Sequence, residues 1–358
     1  MADFNYPGGY GQEDSGGTAV PVFIGDFGTA FEGVVRVSGW PDLPRAAGEA
    51  TATGETGAVL RGYFENGGAF CYLANTAGKT LREALTSVEA FHDVTILVPL
   101  GLWDGGADAA AETARAVTAF AASHRAMAIL HAGREHDVRQ ARDAARAFKL
   151  EADQSAHAAL YHPWLTPSGD GAQPVPPVGA AAGVWCRVDS ERGVWKAPAN
   201  VAVQGGSTPS QAVSDAEQGD AQPVNVLRAF TGKGTLVWGA RTLDETDDQW
   251  KYVPVRRLVD LVERNLRQAL DRVAFQPNSQ ATWESVRTAA DSYLQDLWRR
   301  GGLMGTKPEE AYVVQIGEGA TMTAEDVKAG RVVLKVGLAA ARPADFISVT
   351  VTGSAGQA

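Results

Sequence analysis

Apolar positions recur along this chain with two spacings, and the exchange between them lays out its elements. Val20 to Ile24, Val94 to Val98 and Ala126 to Leu130 are short, nearly unbroken apolar runs of strand length, the pattern of strands buried on both faces. Between them, Leu81, Leu85 and Val88 suit a short helix, Ala107 to His124 an Ala-rich one, and Ala141 to Leu150 a third before a strand at Ala158. Phe31 to Ser38 reads as extended, Ala58 opens a helix-like stretch, and the Asn66-Gly67-Gly68 turn leads to a strand from Ala69 to Leu73. Strands alternating with helices predict an α/β layer with parallel pairing. Small residues from Gly179 to Gly183 predict a helix packed closely on its neighbour.

The second half reads differently. Val255, Leu258, Val259, Val262, Leu266, Ala269, Leu270 and Val273 follow Pro254 at helical spacing. Its other face carries Arg256, Arg257, Asp260, Glu263, Arg264, Arg267, Asp271 and Arg272, with Asp260/Arg264 and Glu263/Arg267 spaced for ion pairs, and is expected to be solvated or to meet a charged partner. After Gln276-Pro277-Asn278, Ser279 is placed to cap a second helix carrying Trp283, Val286, Ala290, Tyr293, Leu294, Leu297 and Trp298, which Gly301-Gly302 stops. Ala311 to Ile316 and Arg331 to Gly337 then read as strands around a helical turn capped by Thr323. Asp345 to Val351 alternates with Phe346, Ser348 and Thr350 on one face and Ile347, Val349 and Val351 on the other. The whole predicts a mixed α/β (α+β) protein.

At 358 residues and 45% hydrophobic, the chain has material for about two cores. Residues 1 to 18 are Gly-rich, with Phe4, Tyr6 and Tyr10 scattered among polar positions, and read as an extended arm. The polar stretch Gln204 to Gln222 reads as a surface loop between domains. No run reaches the roughly 18 to 20 apolar residues of a membrane span, and the start lacks a signal-peptide pattern, so folding in the cytoplasm is expected. Cys71 and Cys186 lie in apolar text and predict buried free thiols. A net charge of -10 argues against nucleic acid as a partner, and it is unevenly spread: -11 over residues 1 to 224 and +1 over 225 to 358.

Candidate chemistry is thin. Gly232-Lys233-Gly234-Thr235 lacks the spacing of a phosphate loop and predicts a tight turn between strands. His131 and His136 lack the i, i+4 spacing of a zinc helix and read as surface histidines. The Asp244 to Asp248 cluster lacks the alternation of a calcium loop and reads as solvated. Asp153, Ser155 and His157 have no nucleophile elbow around them. No catalytic, cofactor or metal set emerges, which favours a structural protein; the alternative is an α/β-fold enzyme of unknown substrate built on residues 58 to 165.

Several strings are more specific than any of these. They are Phe64-Glu-Asn-Gly-Gly, Arg192-Gly-Val-Trp-Lys-Ala-Pro-Ala-Asn200, Gly232-Lys-Gly with Trp238-Gly-Ala-Arg-Thr, Trp250-Lys-Tyr-Val-Pro-Val-Arg-Arg, Phe275-Gln-Pro-Asn, Leu297-Trp-Arg-Arg-Gly-Gly-Leu and Met322 to Arg331. Together they resemble the contractile sheath proteins of phage tails and of related extracellular injection particles, over most of residues 20 to 352. The resemblance implies an N-terminal linking arm (1–20), an outer α/β domain (21–200), an interdomain loop (201–224), an inner sheath domain (225–341) and a C-terminal linking arm (342–358). It implies no enzyme activity and no cofactor. The implied partners are further copies in hexameric rings of a helical sheath, an inner tube protein, and baseplate and terminal cap proteins, without membrane insertion. Such a subunit ends in a phage tail or in a released or cell-retained particle. By the same resemblance Phe4, Tyr6, Tyr10, Phe346, Ile347, Val349 and Val351 belong to arms that pair with neighbouring subunits, and Arg287, Arg299 and Arg300 are candidate tube contacts. The break at Arg342-Pro343 favours a terminal strand that leaves its own domain, the alternative being that it completes that domain's sheet.

Overall fold

The computed structural model describes residues 17–220, 222–340 and 346–355. The chain divides into two compact units between Pro254 and Val255. In the first, β1 (Pro21–Gly25) and β2 (Val34–Val37) precede α1 (Leu43–Ala47) and α2 (Gly54–Glu65). Then β3 (Cys71–Asn75), α3 (Leu81–Val88), β4 (Ile96–Pro99), α4 (Gly106–Ser123), β5 (Met127–His131), α5 (Val138–Ala147), α6 (Ala152–Ala156) and β6 (Ala158–His162) alternate. The unit closes with β7 (Leu165–Thr166), α7 (Val178–Arg192), β8 (Val201–Ala202), β9 (Thr208–Pro209), α8 (Asp215–Asp220) and the hairpin β10 (Asn225–Phe230) and β11 (Gly234–Val237).

Among the described residues this unit forms a nine-stranded sheet ordered β2-β3-β1-β4-β5-β6-β10-β11-β8. The six strands from β3 to β10 run parallel, and β2, β11 and β8 are antiparallel additions at the two ends. Successive residues of the central strands point to opposite faces, and both faces are covered. Phe23, Leu73, Ile96, Ile129 and Tyr161 pack on one side with Val59, Tyr63, Val184 and Trp185 of α2 and α7. Ile24, Leu97, Leu130 and Leu160 pack on the other with Leu85, Val117 and Ala141 of α3 to α5. This double burial is why the strands read as unbroken apolar runs. The small residues of α7 serve the predicted close approach: a Cβ on Gly179 would stand 1.9 Å from the Val59 carbonyl oxygen, and one on Gly183 2.4 Å from that of Tyr63.

The sequence-based boundary at 201–224 moves. β10 continues the large sheet by pairing with β6 through Asn225 and Val226, so residues 225–254 belong to the first unit. The polar stretch before them looks like a linker by composition, yet it carries β9 and α8 and holds Gln218 against the Trp238 carbonyl. Residues 225–254 hold equal numbers of acids and bases, so the charge asymmetry is unchanged by the shift.

From Val255 the second unit contains most of α9 (Val253–Asp271), then α10 (Gln280–Arg299), α11 (Pro308–Ala311), β12 (Tyr312–Gln315), α12 (Ala324–Lys328), β13 (Arg331–Ala339) and β14 (Phe346–Ser354). The strands form an antiparallel sheet ordered β12-β13-β14. Thr323 caps α12 through the Asp326 amide as expected, whereas the Ser279 side chain makes no capping bond at the start of α10. The charged face of α9 is not all solvated, because Arg256, Arg257 and Asp260 are buried and Arg256 Nη2 pairs with Asp260 at 2.9 Å. Burial of such ions is tolerated only when they are paired.

Candidate interaction surfaces

The short polar clusters of the first unit are absorbed by its fold. Lys233 lies in the β10–β11 turn, its amide donating to the Phe230 carbonyl. Asp244 Oδ1 accepts from the Thr246 and Asp247 amides and the Thr246 hydroxyl, and thus shapes its own loop; it is buried rather than solvated. Ser155 Oγ donates to the Ala152 carbonyl, and His157 is buried with Nδ1 2.7 Å from the Asp153 carbonyl, so neither is presented as a nucleophile or base. His131 is also no surface residue. It is 1% exposed at the end of β5, and burial lowers its pKa to about 4. Cys71 and Cys186 are buried free thiols, and burial pushes the Cys71 thiol well above its usual range.

The residues assigned to linking arms separate into two groups. Phe4, Tyr6 and Tyr10 lie outside the described residues. Phe346, Ile347, Val349 and Val351 lie in β14, which pairs with β13 along its whole length, from Ala339↔Phe346 to Arg331↔Ser354. Ile347, Val349 and Val351 are buried with Leu334, Val336 and Leu338 of β13. This strand therefore completes the sheet of its own unit instead of leaving it. The physical reason lies in the alternation itself: three apolar residues on one face find a nine-residue antiparallel partner and an apolar layer within the same unit. β14 is nevertheless an outer strand, with one edge unpaired among the described residues.

The three arginines of the candidate tube contact are all exposed but do not share a face. At 100° per residue Arg299 lies about 120° around α10 from Arg287, and about 18 Å further along it. Arg287 Nη2 donates to the Ile316 carbonyl at 2.6 Å, and Arg300 Nε pairs with Asp296 at 2.9 Å. Exposed acids, Glu284 and Asp291, interleave with them, so the helix shows no basic stripe.

Sequence reasoning missed a different feature. The large hydrophobic residues exposed in the described chain, Phe275 (96%), Met304 (54%) and Val313 (44%), all belong to the second unit. Phe275 stands in the turn after α9, next to Asn278, whose Nδ2 bonds the Arg331 carbonyl at the first residue of β13. Met304 and Val313 sit at the other end, the Met304 amide bonding the Ala339 carbonyl and Val313 pairing with Gly337. Eight strand residues, about 27 Å, separate the two ends. The only sequence signal was the run Val273-Ala-Phe275 continuing past the apolar stripe of α9.

Comparison with known proteins matches residues 72–243 to the phage tail sheath protein central domain and residues 245–353 to the phage tail sheath C-terminal domain. The junction falls close to the break between the two compact units. The tail sheath protein of Burkholderia phage BcepMu is 28% identical over 137 residues, 36% of this chain and 29% of that protein. This match thus spans less than a third of the phage protein's length. Solved structures match over nearly the full chain. The sheath complex of PVC, an extracellular contractile injection system, in its contracted state is 40% identical with a TM-score of 0.79, covering 92% of this chain and 90% of that one. The helical sheath of the anti-feeding prophage (AFP) in its contracted state is 34% identical with a TM-score of 0.77, covering 95% and 97%.

Proposed function

Because the chain belongs to the phage tail sheath family, we propose that it works as the structural subunit of a contractile sheath, polymerising around an inner tube and shortening to drive that tube through a target envelope. The observation that carries this reading is the match to both sheath domains, together with 40% identity over 92% of the chain to a sheath in its contracted state. The role is mechanical, and the chain is part of a tail-like particle with baseplate components at its end. Among the described residues no helix is long and apolar enough to cross a membrane.

In the assembly we place copies in stacked hexameric rings, with residues 255–358 toward the tube and residues 17–254 outward. Two features support this order. The inner unit is near neutral and carries the exposed Phe275, Met304 and Val313, which suits surfaces covered by neighbours, whereas the outer portion carries a net charge of -8, which suits solvent. Copies are linked by strand addition: the N-terminal residues 1–20 of one subunit pair with the unpaired edge of β14 in another, using main-chain hydrogen bonds that hold while the folded units rotate. Arg299 and Arg300, at the end of α10, are the tube-facing charges in this arrangement, and Arg287 steadies the loop at Ile316.

With no nucleotide involved, the work of contraction is stored at assembly in an extended lattice that is metastable relative to a shorter, wider one, and the baseplate releases it. Expression with the tube partner followed by electron microscopy tests the role: helical sheaths are expected, and dispersed monomers at every concentration would overturn it.

A further inference from the structure

The polar strap after β9 is held to the first unit by few contacts, and one of them rests on a histidine. Residues 210–219 are mostly exposed. Their attachments include the Ser210 amide on the Trp164 carbonyl at 2.8 Å, the Gln211 side-chain amide on the His136 carbonyl at 3.1 Å, and the buried Val213. Further along, the Gln218 side-chain amide reaches the Trp238 carbonyl and Asp215 pairs with Arg228 of β10. Segments with so little buried apolar contact open at low cost.

His136 and His162 are both placed so that their neutral forms fit. His136, in the turn between β5 and α5, accepts the Gly133 amide on Nδ1 at 3.1 Å, its own amide returns to the Gly133 carbonyl, and its ring stands edge-on to Trp103 with centroids 4.7 Å apart. A protonated ring carries N–H on both nitrogens, so a gained proton turns the Gly133 bond into two opposed donors. His162 ends β6 on the same sheet face as Leu160, is 1% exposed, and has no protein partner on either ring nitrogen. Charging it there buries an unpaired ion. Burial first, and then the charge of His136, lowers the His162 pKa to about 4, and burial lowers that of His136 as well. Asp137, ahead of α5, favours protonation of both, but less than burial opposes it. The other charged groups of the surrounding elements are engaged elsewhere: Arg139 of α5 acts on Glu217 of α8, which bonds Ser214, Arg228 pairs with Asp215, and Arg134 bonds Gln173. His131 of β5 points to the opposite face of the sheet.

We propose that His136 and His162 form an acid-operated latch that releases the strap of residues 210–219 while the parallel sheet stays folded. Protonation of His136 breaks its bond to Gly133 and sets its charge against that of His162, so the turn presenting the His136 carbonyl moves and Gln211 loses its anchor. The released strap uncovers Val213 and changes the surface of the first unit in acidic surroundings. All of these residues lie within 17–254, and the latch does not depend on the sheath role, so its failure leaves that role intact. A histidine at about 4 when closed and about 6.5 when open favours closure fully above about pH 6.5 and less as pH falls. Between pH 7.5 and pH 5 one such group raises the opening equilibrium about 30-fold.

The test is hydrogen exchange of the full chain, read by mass spectrometry at pH 7.5 and pH 5 and corrected for the intrinsic pH dependence of exchange. Peptides covering 133–137 and 208–219 should exchange at least about tenfold faster at pH 5, while those covering β4 and β5 stay at least about a hundredfold more protected. In the H136Q/H162L double variant, whose Gln still offers an acceptor to the Gly133 amide, the strap should be as protected at pH 5 as at pH 7.5; an unfolding temperature near the parent's at pH 7.5 checks its fold. H136Q alone, which leaves β6 untouched, should cut the acid effect several-fold. Strap and sheet reaching equal protection at pH 5 would mean global unfolding and no latch. An absent acceleration in the parent, or an unchanged one in folded H136Q, would equally overturn the assignment.

Discussion

Replacing Phe275 by Ser asks whether the second unit is built to be covered by neighbours. The ring is 96% exposed in the single chain, so the substitution removes almost no contact from the folded subunit. Its unfolding temperature should therefore stay within about 1 °C of the parent, as for surface substitutions remote from packing. In a lattice that covers the ring, the parent gains the burial of one Phe side chain, about 1.5–3 kcal/mol. At 1.4 kcal/mol per factor of ten, each such contact loses about 10- to 150-fold in association constant. The assay is the critical concentration for sheath growth on the tube partner, measured by sedimentation and light scattering, which should rise by that factor. A critical concentration within about twofold of the parent, for a variant that folds normally, would show that the ring faces solvent in the sheath and that its exposure has nothing to do with assembly.

Other consequences follow from the packing. Gly183→Ala puts a methyl group 2.4 Å from the Tyr63 carbonyl oxygen, so α2 and α7 must separate; overpacking of about 1–3 kcal/mol should lower the melting temperature of the first unit by several degrees. Ile347→Asp buries a charge between β13 and β14 and should leave the second unit unfolded by proteolysis while the first stays intact, whereas Thr350→Lys, on the exposed face of the same strand, should be tolerated. His131 and His162 have pKa values lowered to about 4 by burial, below the ordinary 6.5 of the unfolded chain. The unfolded state then binds protons that the folded state refuses, so stability is full above about pH 6.5 and falls as pH drops toward 4, by roughly 3 kcal/mol per histidine. Calorimetry across that window should show the loss, with a shallower slope in His162→Asn.

Much of this architecture is legible in the sequence because its physics is local. The parallel layer betrays itself through runs such as Ile96–Pro99 and Met127–His131, buried on both faces, and α7 through glycines that let it approach α2. The misplaced domain boundary has a non-local cause. Nothing within Asn225–Phe230 reveals that it adds to β6, more than sixty residues earlier, rather than starting a new sheet. The burial of Arg256, Arg257, Asp260 and His131 is non-local in the same way, since it is set by what packs on top. The terminal strand is legible as a strand but its partner is not: a clean alternation from Ile347 to Val351 describes a face, and only register with Arg331–Ala339 says whose sheet it joins. The arginines of α10 and its C-terminal end illustrate the limit of counting basic residues, because Arg287 lies about 18 Å along the helix from Arg299, and Arg287 and Arg300 are engaged locally, so the three do not make one surface.

The central claim is that sheath contraction is driven by energy stored in the lattice of this subunit. It is tested most directly by imaging intact particles before and after a trigger, such as baseplate removal or mild denaturant, in buffer stripped of nucleotide. The account predicts a single irreversible change from a long, narrow sheath to a short, wide one, with the tube released and every subunit still folded. A sheath that keeps its length until nucleotide is added, or one that shortens only as its subunits unfold, would contradict it.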